Sequence, residues 1–236
     1  MARKEGPAGR PGPTPAMTRT LFEKHLTELR HEILDLGSRT EQAIRRAMES
    51  LQRRDLALAR QVVEGDYEIN RRRFAIEDHA VNLIATQQPL ASDLRTIIAV
   101  IHIATEIERI ADHAEGIARI SLMLGEQSLP PLGRLNEMAN LGIDMMHRSI
   151  TAFIERDVDL AHAVCAQDDE LDALYDANYA EVIGRMLMEP GMAKILTYQL
   201  WTAHNLERIG DRATNICERV VYLVTGRMEE ENVSRY

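Results

Sequence analysis

Aromatic side chains are scarce in this sequence, at 4% of its residues, and no segment alternates apolar and polar with a period of two. Half-buried β-strands need that alternation, so strands are not expected. Cysteine is nearly missing as well. Cys165 and Cys217 stand apart with no Cys-x-x-Cys spacing, which argues against a thiolate metal site and for reduced cytosolic thiols. No apolar run reaches the roughly 18 residues that a membrane span needs, and no apolar signal-peptide region stands at the N-terminus. There is no Gly-rich phosphate loop, Walker lysine or nucleophile elbow. Basic charge is also short: 28 Lys and Arg against 37 Asp and Glu leave a net charge of −9. Nucleic acid would call for a basic face, so it is not expected as a partner, and the negative balance suits cations.

What the chain does have is helical periodicity from Thr18 onward. The pattern predicts helices over 20–52, 55–87, 90–124, 132–155, 158–187 and 192–225. Residues 1–17, with four prolines and three glycines, read as a disordered tail, and Met17 is a candidate start. Asp55 and Asp157 are suited to cap the second and fifth helices. Pro89 and Pro190-Gly191 punctuate the hairpins that follow them, and Leu129-Pro130-Pro131 breaks the chain in the middle. Arg54-Asp55-Leu56 matches Arg156-Asp157-Val158 at an offset of 102. This is an internal duplication of roughly 100 residues. Such helices hide their apolar stripes only by packing on one another. The expected fold is therefore all-α, with two tandem three-helix bundles at 18–127 and 128–226 and a C-terminal tail at 227–236.

The strongest repeat is ERIADHAEGI from Glu108 and ERIGDRATNI from Glu207, identical at six of ten positions and 99 residues apart. Each copy carries a Glu-x-x-x-Asp: Glu108 with Asp112, and Glu207 with Asp211. A spacing of four stacks two carboxylates on one helix face, where they repel by a few tenths of a kcal/mol. On the third helix Ile103, Ile107, Ile110, Ala114 and Ile117 form an apolar stripe, and the carboxylates lie beside it. Leu206, Ile209, Ala213 and Ile216 repeat that stripe on the sixth helix.

A hairpin about Pro89 puts residues equidistant from the turn level with each other. Asp66 and Asp112 are each 23 residues from Pro89, and Asn70 and Glu108 are each 19 away. About Pro190, Asp168 lies 22 before and Asp211 21 after, while Asp172 lies 18 before and Glu207 17 after. Each half thus offers four oxygen-bearing side chains from two facing helices. The set suits hard or borderline cations such as iron, manganese, magnesium or zinc, bound singly or as a multinuclear cluster. An exposed acidic face, paired with Arg109 and Arg208, is the plain alternative.

These residues resemble the PhoU family of phosphate-transport accessory proteins. The likeness spans residues 20–226 and is carried by Gln87-Gln88-Pro89, Asp93-Leu94-Arg95, ERIADHAEGIA from Glu108, and ERIGDRATNICERVVYLVTG from Glu207 to Gly226. The resemblance implies a cytoplasmic, dimeric, all-helical protein that binds metal clusters, iron above all, through its acidic motifs. It implies negative regulation of high-affinity phosphate uptake, between the ATPase of a phosphate ABC transporter and a sensor histidine kinase. Contact with the membrane would run only through those partners, and no catalysis is implied. Glu108, Asp112, Glu207 and Asp211 match the family motif, and Asp168 and Asp172 match its fifth-helix counterpart. Asn70 stands where the family often has Asp, and Gly116 stands where the second copy has Asn215, which would leave the first site one amide oxygen short.

The competing function is a helical carboxylate-bridged metalloenzyme, an oxidase or hydrolase. A di-iron site needs two Glu-x-x-His motifs, and Glu28-Leu29-Arg30-His31 alone has that form. His113 is a further candidate ligand, although Arg212 replaces it in the second copy. Met186-Leu187-Met188 reads as core filling, and Trp201 as a residue of the bundle face.

Overall fold

A computed structural model describes residues 15–127 and 129–227. Among these residues there are six long helices and no strand: α1 (Pro15–Arg53), α2 (Leu56–Gln87), α3 (Ala91–Leu124), α4 (Gly133–Glu155), α5 (Val158–Met188) and α6 (Ala193–Thr225). A 3-10 turn, Pro190–Met192, leads into α6. The expected boundaries hold to within a residue or so except at the start of α1. Residues 15–17, read from the sequence as tail, belong to that helix, while 1–14 and 228–236 lie outside the described residues. No described helix is long and apolar enough to cross a membrane.

The two halves stop and start their helices by the same chemistry. Asp55 accepts a hydrogen bond from the Leu58 amide at 2.9 Å, and Asp157 accepts one from Leu160 at 2.9 Å. Each aspartate thereby satisfies one of the amides left open in a first turn. The residue before each cap is left-handed, Arg54 at φ 55° and Arg156 at φ 57°. Gln88, at φ 47°, closes α2 just before Pro89.

α1, α2 and α3 pack as one bundle and α4, α5 and α6 as the other. The bundles lie side by side, joined where α3 packs on α6 and α1 on α4. One continuous core runs through all six helices. The predicted stripes are in it: Ile103, Ile107, Ile110, Ala114 and Ile117 are fully buried, as are Leu206, Ala213 and Ile216. At Gly37 a Cβ would come within 2.6 Å of Ile150 Cδ1, so a side chain there would push the end of Ile150 aside.

Polar contacts across the α3–α6 interface obey a pseudo-twofold relation. Asn215 donates to Glu106 at 3.1 Å and Arg212 approaches it at 3.5 Å. The equivalents 99 positions away make the mirrored contact, with His113 Nδ1 3.1 Å from Asn205 Oδ1.

Three expectations need correction. Leu187 and Met188 are 79% and 84% exposed, because they end α5 beyond the reach of the bundle. Trp201 faces solvent, stacked edge-on against Tyr198 at 5.5 Å between ring centres. Arg109 makes its ion pair with Glu106 at 3.7 Å and acts on its own Glu-x-x-x-Asp only from farther off, lowering the pKa of Glu108 and Asp112.

Asp55→Ala and Asp157→Ala should each destabilise the protein by about 1 kcal/mol. The readout is a similar drop in the urea midpoint for both variants, with an unmoved midpoint counting against the capping assignment.

Candidate metal centre

The two Glu-x-x-x-Asp motifs face the partner helices that the hairpin register assigns to them. In the first bundle α3 presents Glu108 and Asp112 toward α2, which presents Asp66 and Asn70. Repulsion from Asp112, after burial, raises the pKa of the Asp66 carboxyl above its ordinary range, and repulsion from Asp66 helps raise that of Glu108. Asn70 Nδ2 donates to Asp66 Oδ2 at 3.4 Å, opposing part of that rise. Burial is the leading cause for Glu108, whose side chain is 13% exposed, followed by Asp112. Arg73 opposes it from 4.0 Å.

The second bundle repeats the arrangement more tightly. Asp168 on α5 is 6% exposed and lies against α6, where a Cβ on Gly210 would meet its Oδ1 at 2.9 Å and Leu171 Cδ2 at 2.3 Å. A side chain at Gly210 would have to displace both. Glu207, 17% exposed, is pushed up to about 7 by burial first, then by Asp211, with Asp172 and Asp168 adding to the repulsion. Burial and the neighbouring Asp211 raise Asp172 too. Arg208 sits on this ladder as a built-in cation, donating to Asp211 Oδ2 at 2.7 Å and lying 3.4 Å from Glu207 Oε2.

All eight predicted residues therefore gather as two sets of four, one per bundle. Two further carboxylates extend them: Glu115 raises Asp66 and Asp112, and Asp176 raises Asp172. The sequence reading missed both. Glu115 lies three residues past Asp112 and Asp176 four past Asp172, so the helical spacing that found the others could have found these.

Two predicted details fail. Asn215 faces Glu106 across the interface, and Gly116 packs where a Cβ would meet Asn205 Oδ1 at 2.8 Å. Neither belongs to a ladder, so the first site lacks no amide oxygen on that account. His113 is committed to Asn205, and burial lowers its pKa below the ordinary histidine value.

The donor set fits cations by chemistry. Asp66 Oδ1 is a buried oxygen with no hydrogen-bond donor, which a cation would satisfy, and Glu207 Oε2 also lacks a hydrogen bond but has Arg208 3.4 Å away. The spacing restricts what fits. Among the described residues, neither ladder brings three ligand atoms within 4.8 Å of one another. A lone ion gripped by three carboxylates is thus not built here, whereas several ions bridged by carboxylates span longer distances. Both cysteines are buried and neither is in a disulfide.

A family model described as "PhoU domain" matches residues 33–121 and again 135–220. The chain is 38% identical over 218 residues to the phosphate-specific transport system accessory protein PhoU homolog of Clostridium acetobutylicum, covering 92% of this chain and 100% of that one. It is 32% identical over 207 residues to the phosphate-specific transport system accessory protein PhoU of Escherichia coli strain K12, covering 87% and 86%. The crystal structure of PhoU from Pseudomonas aeruginosa superposes with a TM-score of 0.82 at 33% identity, over 87% of this chain and 100% of that one. The phosphate transport system regulatory protein PhoU from Streptococcus pneumoniae gives 0.83 at 32%, over 89% and 99%.

The raised carboxyls set a pH signature for the metal-free protein. Glu207 holds its proton in the folded state up to about 7 but releases it near about 4.3 when unfolded. Its protonation therefore favours folding below that lower value, and the advantage is lost as pH climbs through the upper one. Glu207→Gln should lose less stability than wild type across that window. Urea midpoints in chelator-treated samples would check this, and parallel pH profiles would refute it.

Proposed function

The chain belongs to the PhoU family, and from that premise we propose that it is a metal-binding regulatory adaptor of phosphate uptake. On this reading it is a cytoplasmic homodimer that restrains high-affinity uptake. Its partners are the ATPase of a phosphate ABC transporter and a sensor histidine kinase. The relatives it matches are named as accessory or regulatory proteins of phosphate transport, which supports an adaptor over an enzyme.

The observation that carries the metal half of the proposal is the doubled carboxylate ladder. Asp66, Glu108 and Asp112 repel one another beside an apolar core, and Asp172, Glu207 and Asp211 do the same. Bound ions, iron foremost and manganese, magnesium or zinc after it, would neutralise the ladders and offer open coordination positions to an oxyanion such as phosphate. The half-buried Glu108 and Glu207 would anchor such ions at the core. The exposed Asp112 and Asp172 would face the solvent from which ions exchange. Arg208 would compete with metal at contact distance in the second ladder, and Arg73 from 4.0 Å in the first. The two ladders should therefore differ in affinity or ion number.

The adaptor half has its own support. Both hairpin tips carry bare apolar side chains, Leu90 between α2 and α3 and Leu187 with Met188 at the end of α5. Exposed apolar side chains at the tips of a rigid bundle suit docking to another protein.

Glu108→Ala with Asp112→Ala, and separately Glu207→Ala with Asp211→Ala, should each deplete bound metal while leaving helix content intact. Metal per chain by elemental analysis and circular dichroism decide it. Full metal in both double variants would sink the assignment, and equal losses would sink the claimed difference between ladders. Leu187→Ser with Met188→Ser should weaken co-purification with the transporter ATPase from phosphate-replete cells without changing metal content. Undiminished co-purification would remove that tip from the docking surface.

A further inference from the structure

A separate cluster of imidazoles and a carboxylate lies on the other hairpin of the first bundle, between α1 and α2. There, His25, Glu28 and His79 bring one ligand atom each within 4.8 Å of one another, and no other set of three among the described residues does so. The register of the hairpin explains the meeting. Arg46 bonds Gln61 and Arg72 bonds Asp35 across it, and the same register puts Glu28 level with His79. His25 and Glu28 are three apart, on one face of α1.

We propose that His25, Glu28 and His79 form a divalent-cation site of the imidazole type, suited to zinc or a similar borderline ion, with Glu32 as its outer carboxylate. His79 Nδ1 lies 3.1 and 3.2 Å from the two oxygens of Glu32. That contact places the ring proton on Nδ1 and leaves the lone pair of Nε2 pointing away from Glu32. A carboxylate holding a ligating histidine in this way is the usual outer shell of a zinc site. Nε2 in turn is 3.3 Å from His25 Nδ1, which is 3.1 Å from Glu28 Oε2. Bonds of about 2.0–2.1 Å to a tetrahedral ion set neighbouring donors about 3.3 Å apart, so both measured edges fit. The two rings are edge-on at 82°, which lets both nitrogens converge on one point without ring clash.

The three side chains are half-buried, so the fourth position opens to solvent. Lys24 lies 3.7 Å from the other oxygen of Glu28, leaving Oε2 for the ion. The second half has no equivalent. Glu32 and His79 correspond, 102 positions on, to Arg134 and Glu181, which form an ordinary ion pair. The site is therefore particular to the first bundle and independent of the carboxylate ladders.

The test is Zn²⁺ titrated into the full chain after chelator treatment, followed by the ring nitrogen signals of His25 and His79. One equivalent should shift both rings. His25→Gln and His79→Gln should each weaken that event at least about tenfold, and Glu32→Gln about ten- to a hundredfold. The ladder variants at Glu108 and Asp112 should leave the ring shifts in place, so failure of one metal reading is separable from failure of the other. Should a histidine variant lose helix content, Glu28→Gln on the half-exposed face of α1 carries the same expectation. Rings that ignore Zn²⁺, or variants that bind it as tightly as wild type, would overturn the proposal.

Discussion

Antiparallel packing of α3 on α6 is the constraint from which the rest of the arrangement follows. Each of these helices touches both other members of its own bundle and the equivalent helix of the other. That leaves three faces on each. One is apolar and buried through Ile103, Ile107, Ile110 and Ile117 on α3, and through Leu206, Ala213 and Ile216 on α6. One is polar and meets the other bundle through Glu106 and His113 on α3, answered by Arg212, Asn215 and Asn205 on α6. The remaining face turns to the hairpin partner and carries the carboxylates. With two faces committed, Glu108 and Glu207 cannot swing clear of the acidic helix opposite. Burial raises the pKa of both, followed by the aspartate one turn on, and the acidic helix opposite adds a smaller push.

Much of this was legible in the sequence because it depends on short-range rules. Caps at Asp55 and Asp157 are local, and both form. Counting outward from Pro89 and Pro190 sufficed to pair the ladders, because a tight hairpin transmits its register along two straight helices. Reasoning failed where a residue's face is decided by a third helix. Gly116 and Asn215 lie eight residues beyond Glu108 and Glu207, about 80° round the helix, close enough to look like ladder members. The α3–α6 contact claims them instead. Met186-Leu187-Met188 has a core-like composition but overshoots the bundle, and composition carries no information about where a bundle ends. The His25–Glu28–His79 cluster was hidden for a related reason. Its elements are scattered over two helices, and its register is set by the α1–α2 hairpin, which no proline marks.

Duplication made two of everything, and the differences between the copies follow the placement of cations. In the second bundle each acidic locus already has its own guanidinium. Arg208 bonds Asp211 and lies beside Glu207, and Arg134 bonds Glu181. In the first bundle Arg109 pairs with Glu106 while still lowering the pKa of Glu108 and Asp112, Arg73 stands 4.0 Å from Glu108, Arg119 bonds Glu115, and the position of Arg134 is taken by Glu32. Asn70 in place of the Asp172 counterpart removes one negative charge there, but Glu115 restores it where the second copy has Thr214.

A covalently tethered guanidinium and an exchangeable ion solve the same electrostatic problem, and only the second can report on its surroundings. A fixed arginine neutralises its ladder at all times, and a metal ion must displace it before it can bind. Both ladders already carry such guanidinium groups, with Arg73, Arg109 and Arg119 lowering the pKa of the carboxyls of the first and Arg208 that of those of the second. α3 packs directly on α6, with the Glu106–Asn215 and His113–Asn205 contacts between them, so the acidic faces of the two bundles are held on a shared pair of helices.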